Sequence, residues 1–184
     1  MAVAVAEARK GDSCVIGGSG KTGRRVAEQL VARGATPVTA SRSGQRRFGW
    51  RDKASWRPAV SARAVCLVDA QTDDTAELMA EFTDAAVRAG VGRLVLLSVR
   101  AWEQADDTSG FAVERAVQKS GAGSAAAWTV LRPTWFAQNF SEDSPLRDAV
   151  AAGRVEPPTG EGLEPFIDTT ATKARSTPCP GHAR

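Results

Sequence analysis

Ser13-Cys-Val-Ile-Gly-Gly-Ser-Gly-Lys-Thr-Gly-Arg-Arg-Val-Ala-Glu-Gln-Leu-Val-Ala-Arg-Gly34 decides the fold of this 184-residue chain. The short apolar run Cys14-Val15-Ile16 stops at a turn crowded with glycine, Gly17 to Gly23. Apolar residues then recur at Val26, Ala27, Leu30 and Val31 before Gly34. Such spacing lines one face of a helix, and glycine is the residue best suited to ending one. The stretch reads strand, tight turn, helix, and Pro37-Val38-Thr39-Ala40 supplies the next strand of a βαβ unit. The alternation continues downstream. Ala64 to Val68, Arg93 to Ser98 and Trp128 to Leu131 read as further strands. Leu78, Phe82, Ala85 and Ala89 mark a helix ending at Gly90, and Ser109 to Ser120 a helix ending at Gly121. Strands alternating with helices predict an α/β fold with a doubly wound parallel sheet.

Composition narrows the function classes. The chain is 42% hydrophobic and 24% charged, the profile of one globular domain, with no apolar run of the roughly 20 residues a membrane helix needs. The start, Met1 to Glu7, is too short in its apolar part for a secretory signal, so a cytoplasmic protein is expected. Cys14, Cys66 and Cys179 share no metal-like spacing, and neither a metal site nor a disulfide framework is expected. The net charge of +3 comes from Lys173, Arg175 and Arg184, because all 21 acidic residues lie at or before Asp168 and balance the basic residues there. A neutral body speaks against nucleic acid as a partner. After Asp168 the pattern breaks into Thr169 to Arg184, with two prolines and no apolar period. Residues 1–168 are read as the folded unit and 169–184 as a disordered tail.

Gly18-x-Gly20-x-x-Gly23, set between a strand and a helix, has the spacing of a dinucleotide-binding turn. Glycines there let the backbone approach a pyrophosphate, and the amides and positive end of the following helix attract the anion. Gly17, Gly18, Ser19, Gly20, Lys21, Thr22 and Gly23 form the candidate phosphate-binding set; the competing reading is a tight turn without a ligand. After the second strand stands Ala40-Ser41-Arg42-Ser43, where an NAD-binding protein usually offers an acid to the ribose hydroxyls. Arg42 suits a 2′-phosphate instead, with hydrogen bonds from the flanking serines, so NADP(H) is favoured over NAD(H). A solvated Arg42 is the alternative, in a segment that also holds Arg46, Arg47, Arg51 and Arg57.

Three further pieces carry a resemblance: Phe48-Gly-Trp-Arg-Asp-Lys-Ala-Ser-Trp56, the strand ending Leu97-Ser98, and Thr129-Val-Leu-Arg-Pro-Thr-Trp-Phe-Ala-Gln-Asn-Phe140. Together with the glycine turn they resemble the NmrA-like atypical short-chain dehydrogenases/reductases, the ergot-alkaloid-biosynthesis-type bacterial members above all, over about residues 13–168. The resemblance implies a Rossmann fold, NADP(H) binding and redox chemistry on a small organic molecule, or a nonenzymatic cofactor-sensing role through a protein partner. The chain departs from that group twice. Where the group continues from Pro165-Phe-Ile-Asp168 into a small C-terminal substrate-binding region, this chain enters the unpatterned tail, as a truncated or frameshifted reading frame would. The tyrosine that protonates the alkoxide in tyrosine-dependent members has no counterpart, since the chain contains no Tyr. The corresponding helix offers Glu114, read as an exposed helical charge.

Chemistry without that acid needs an acceptor already activated. An iminium carbon carries its own activation and a quinone delocalises the incoming charge, so hydride transfer from a bound nicotinamide to either would need mainly orientation. Ligands of open parallel sheets lie beyond the carboxyl ends of the strands, which singles out Asp69 and Ala70, Ser98, and Pro133 to Phe136. Asp69, Ala70 and Ser98 are read as cofactor contacts, and Ser98 also either as orienting a substrate heteroatom or as capping its strand. Trp102, Trp135, Phe136 and Phe140 line an aromatic substrate pocket or belong to the core. Asn139 bonds substrate or its own backbone, and Asp52 contacts the adenine amino group or caps its loop. A sugar-nucleotide epimerase relative finds little support, since no basic cluster follows the last strand.

Overall fold

The computed structural model describes residues 13–44, 46–69, 72–100, 109–121, 124–142, 144–155 and 162–171. Strand β1 (Ser13–Ile16) runs into the glycine turn and helix α1 (Lys21–Ala32), followed by β2 (Val38–Ser41) and a two-residue β3 (Arg46–Arg47). A 3-10 turn (Lys53–Trp56) and the single-turn α2 (Arg57–Val60) lead to β4 (Ala64–Val68), α3 (Thr75–Arg88), β5 (Arg93–Leu97), α4 (Ser109–Gly121) and β6 (Ala127–Leu131). Beyond these lie β7 (Trp135–Phe136), α5 (Asn139–Glu142), α6 (Ser144–Ala151) and β8 (Phe166–Ile167).

The main sheet has six strands in the order β3-β2-β1-β4-β5-β6, parallel throughout. The expected doubly wound sheet is therefore present, with one strand more than the sequence pattern marked. Strand β3 lies in the polar stretch after β2, where two exposed arginines carry no apolar alternation; it pairs only at Ala40–Arg46 and Ser41–Arg47. The chain turns left from β1 to β2 and right from β1 to β4, so the carboxyl ends of β1 and β4 flank the point where the strand order reverses. A crevice opens at such a point because the connections leave in opposite directions.

Alternate residues of the central strands, Cys14 and Ile16, Val65 and Leu67, Leu94 and Leu96, are buried in one cluster with Met79 and Phe82 of α3 and Val113 and Val117 of α4. Phe48, Trp50 and Trp56 set their rings at 5.1–5.7 Å, edge to face, around Phe82 and one another, which ties the connection between β3 and β4 to the core. Helix α1 is anchored through buried Gly23 and Ala27 and ends at Gly34, whose φ of 81° is open only to glycine at low cost. Residues 169–171, read above as the start of a tail, instead form a 3-10 turn with Thr169 buried and its amide donating to Gln138 Oε1 at 2.9 Å. The reason is lateral rather than periodic: β8 pairs with β7, and the Gln138 amide also bonds Asp168 at 2.9 Å, so a side chain thirty residues upstream fixes this short segment. Residues 172–184 and the amino-terminal twelve lie outside the described residues.

Candidate functional site

The glycine turn is shaped by contacts that no side chain would permit. Gly17 has φ 72°, and its amide donates to Ala40 O at 2.9 Å, closing the turn over β2. A Cβ on Gly18 would lie 2.7 Å from Thr39 Cβ, and one on Gly23 only 2.2 Å from the Gly17 carbonyl oxygen. Helix α1 thus starts directly against the end of β1. Its first α-helical bond is Arg24 N to Gly20 O at 3.1 Å, which leaves the amides of Thr22 and Gly23 pointing out of the helix start. Gly20 caps that start without a side-chain hydrogen bond, and the first turn holds no acidic residue. The positive end of the helix is thereby presented to a ligand.

A cavity of about 840 Å³ opens at the reversal point. Gly17, Ser19 and Gly20 line one side, Ser41, Arg42 and Ser43 the end of β2, and Val68 and Asp69 the end of β4. Phe48, Trp50, Arg51 and Asp52 form the far wall. Of the residues singled out from sequence, Gly17, Ser19, Gly20, Arg42, Asp52 and Asp69 meet here; Gly18 and Gly23 shape the turn from behind, and Lys21 and Thr22 open α1. Ala70 and Trp102 lie outside the described residues. The Ser41 hydroxyl is buried beside the cavity with no hydrogen-bond partner, and no acidic partner for Arg42 is present among the described residues. A buried unpaired hydroxyl is costly, and an anion with hydroxyl neighbours would satisfy both groups.

The other arginines of this wall are engaged. Arg51 grips Asp74 through Nε and Nη2, both at 2.8 Å, and this pair with the Thr72 hydroxyl brings the Asp74 carboxyl down to about 2. Arg47 stands 3.5 Å from Asp52, so the Asp52 carboxylate faces a guanidinium at the cavity wall and makes no cap bond of its own. The clamp from Arg51 to Asp74 ties the far wall to the start of α3. Sequence reasoning missed Phe48, Trp50 and Arg51 as wall residues because nothing local signals that a loop folds back over a neighbouring strand.

A second group gathers around the segment after β6. Lys21 Nζ donates to Asn139 Oδ1, while Arg24 and Arg25 both pair with Glu142, at 2.7 and 2.5 Å. The hydrogen bond from Arg25, partly offset by burial, draws the Glu142 carboxyl below its ordinary value. Asn139 therefore answers to the glycine helix, a partner neither sequence reading of it named. Trp135 packs edge to face on Phe166 at 6.3 Å and Phe140 lies 5.0 Å from the same ring, whereas Phe136 is half-buried in β7. At the end of β5, Ser98 donates to Glu114, whose side chain is 0% exposed and is bracketed by Arg132 Nε at 3.0 and 3.1 Å and Nη2 at 2.5 Å. This corrects the expectation of an exposed Glu114. Helical spacing turns that position inward, and the Arg132 guanidinium supplies the charge that makes its burial tolerable.

A glycine turn at the reversal point of a parallel sheet, facing a cavity of nucleotide size, defines a Rossmann-type domain of the dinucleotide-binding kind. The chain's relatives in sequence include festuclavine synthases, agroclavine dehydrogenases and a bacterial oxidoreductase. It is 34% identical over 170 residues to festuclavine synthase I of Penicillium roqueforti, covering 83% of this chain and 58% of that enzyme. It is 30% identical over 163 residues to the uncharacterized oxidoreductase YesF of Bacillus subtilis, covering 84% of this chain and 55% of YesF. The fold matches the triphenylmethane reductase of Citrobacter sp. complexed with NADP(H) at a TM-score of 0.70 and 17% identity, over 86% of this chain and 61% of that one. No protein-family model matches. The chain thus spans less than two thirds of the length of these relatives. No described helix is long and apolar enough to cross a membrane.

Proposed function

We propose that this chain binds NADP(H) and belongs to an oxidoreductase that delivers hydride to an imine-like or quinone-like small organic substrate. The observation that carries the reading is the end of β2, where Arg42 adjoins the buried Ser41 hydroxyl on the cavity wall, neither with a partner among the described residues. Both suit the 2′-phosphate of NADP(H), and the Arg42 charge favours it over the bare ribose hydroxyls of NAD(H). The amides of the glycine turn and the start of α1 would hold the diphosphate, Asp52 and the Phe48–Trp50 wall the adenine, and Asp69 the ribose beyond β4. When bound, the dinucleotide supplies the hydride. The absence of Tyr points to acceptors that need no proton from the protein at the moment of transfer.

Titration of the wild type and Arg42→Ala with NADPH and NADH tests this. A charge-assisted contact is worth about 1.5–3 kcal/mol, so Arg42→Ala weakens NADPH roughly 10- to 100-fold and leaves NADH unchanged. Equal wild-type affinity for the two cofactors removes the phosphate role. Tight NADPH binding without turnover of any quinone or cyclic imine replaces the enzyme with a cofactor sensor acting through a protein partner.

A further inference from the structure

Ser98 and its neighbours form a buried cluster that cofactor binding at the glycine turn does not use. Ser98 follows β5, and its amide donates to Leu131 O at 2.8 Å, so the ends of β5 and β6 stay paired. Arg132 follows β6. Both side chains converge on Glu114 of α4, which receives Ser98 Oγ and Arg132 Nε on one oxygen and Arg132 Nε and Nη2 on the other. A carboxylate only accepts hydrogen bonds, and a guanidinium only donates them. The arrangement has one consistent polarity: the single Ser98 proton is committed to Glu114, and what Ser98 offers to any other atom is lone pairs.

We propose that Glu114, held by Arg132, is a positioning residue that makes Ser98 a hydrogen-bond acceptor toward an N–H group of the ligand bound beyond β5 and β6. The inference rests on the cofactor reading above and sharpens it. A serine in this place that donated its proton would polarise a carbonyl oxygen; one that accepts instead selects a nitrogen bearing hydrogen. Two groups carry that chemistry, the carboxamide amino group of the nicotinamide and the N–H of a protonated imine. A hydrogen-bonding site rejects the analogue that lacks the group, because its own polar atom is then left unpaired.

Glu114→Gln reverses the polarity while nearly preserving shape. Because Arg132 cannot accept, the amide oxygen has to face it, and the amide nitrogen then donates to Ser98 and releases the hydroxyl proton outward. Dissociation constants of NADPH and of its 3-acetylpyridine analogue, which keeps the carbonyl and lacks the amino group, are measured for wild type, Glu114→Gln and Ser98→Ala. With the carboxamide as donor, the wild type prefers NADPH about tenfold, and the preference falls to about one in both variants. With the imine as donor, the two dinucleotides bind alike throughout, and the kcat/KM ratio of 1-pyrroline over a simple quinone drops about tenfold in both variants. If neither ratio moves in Glu114→Gln or Ser98→Ala, Glu114 and Arg132 only brace the fold and the proposal is overturned. A wild type that binds no NADPH overturns the cofactor reading itself, a result distinct from unchanged ratios. Ser98→Ala keeps the test decisive should Glu114→Gln fail to fold.

Discussion

Replacing Gly23 by alanine sets two effects of opposite sign against each other, and the structure decides which wins. In a helix, alanine gains about 1 kcal/mol over glycine. Here the added Cβ would stand 2.2 Å from the Gly17 carbonyl oxygen and 2.7 Å from its carbon, and real Cβ atoms essentially never come within 3.0 Å. The start of α1 must therefore retreat by about 0.8 Å from the end of β1, against backbone that no rotamer change can move aside. Overpacking of this kind costs about 3 kcal/mol, the upper end of its usual range, so the net loss is about 2 kcal/mol. In a domain of this size that lowers Tm by about 4–8 °C. The retreat also carries the outward-pointing amides away from the diphosphate, so affinity for ADP falls together with stability. Urea unfolding followed by tryptophan fluorescence, with ADP titration by calorimetry, reads both. Gly34→Ala is the control: nothing lies within 4 Å of its Cβ, and its φ of 81° alone predicts a loss of about 1 kcal/mol with ADP affinity unchanged. A Gly23→Ala chain with the urea midpoint and ADP affinity of the wild type refutes the close-approach argument.

Other expectations rest on the same contacts. Asp74 titrates at about 2 because Arg51 and Thr72 hold its charged form, so its contribution to stability is complete above the ordinary carboxylate value and disappears as pH falls toward 2. Carboxyl-carbon NMR should show that midpoint rising toward the ordinary carboxylate value in Arg51→Ala, with Thr72 holding back the remainder, and a wild-type midpoint already at about 3.9 refutes the clamp. Glu142→Gln should lower the urea midpoint only slightly, because its pairs with Arg24 and Arg25 are partly solvated, and about 0.5 M NaCl should shrink the difference; a salt-independent loss contradicts an ionic origin. Burial pushes the Cys14 thiol up to about 12, with the nearby Cys66 adding to the shift, and burial pushes Cys66 up to about 11. A Cys179→Ser chain should therefore stay unmodified by a thiol reagent at pH 8 until it is unfolded, and rapid labelling of the native chain counts against this.

What the sequence disclosed was local in origin. The turn from Gly17 to Gly23 declared itself because close approach excludes every other residue, and runs such as Ala64 to Val68 and Arg93 to Leu97 declared themselves because burial demands continuous apolar character. Periodicity was less faithful at its ends: Val31, counted in the apolar stripe of α1, is 59% exposed. Features set by distant partners were not legible. Arg46 and Arg47 form a strand only because β2 is beside them, and Thr169 is fixed by Gln138. Glu114 looked like any surface acid until Arg132 and Ser98 were brought to it. Charge pairing across elements leaves no period in a sequence, so the Glu114 cluster and the Phe48–Arg51 wall emerged only from tertiary proximity.

The cavity draws its whole lining from Ile16 to Leu78, whereas the serine and its carboxylate stand on elements that come later in the chain. The cavity and the buried serine–carboxylate cluster thus lie in successive stretches, joined where β4 pairs with β5, where α3 packs on α4, and where the glycine helix meets Asn139 and Glu142. Exchanging the elements beyond β5 would keep the lining of the cavity but strip the glycine helix of its Asn139 and Glu142 partners, so retooling one stretch carries a cost in the other.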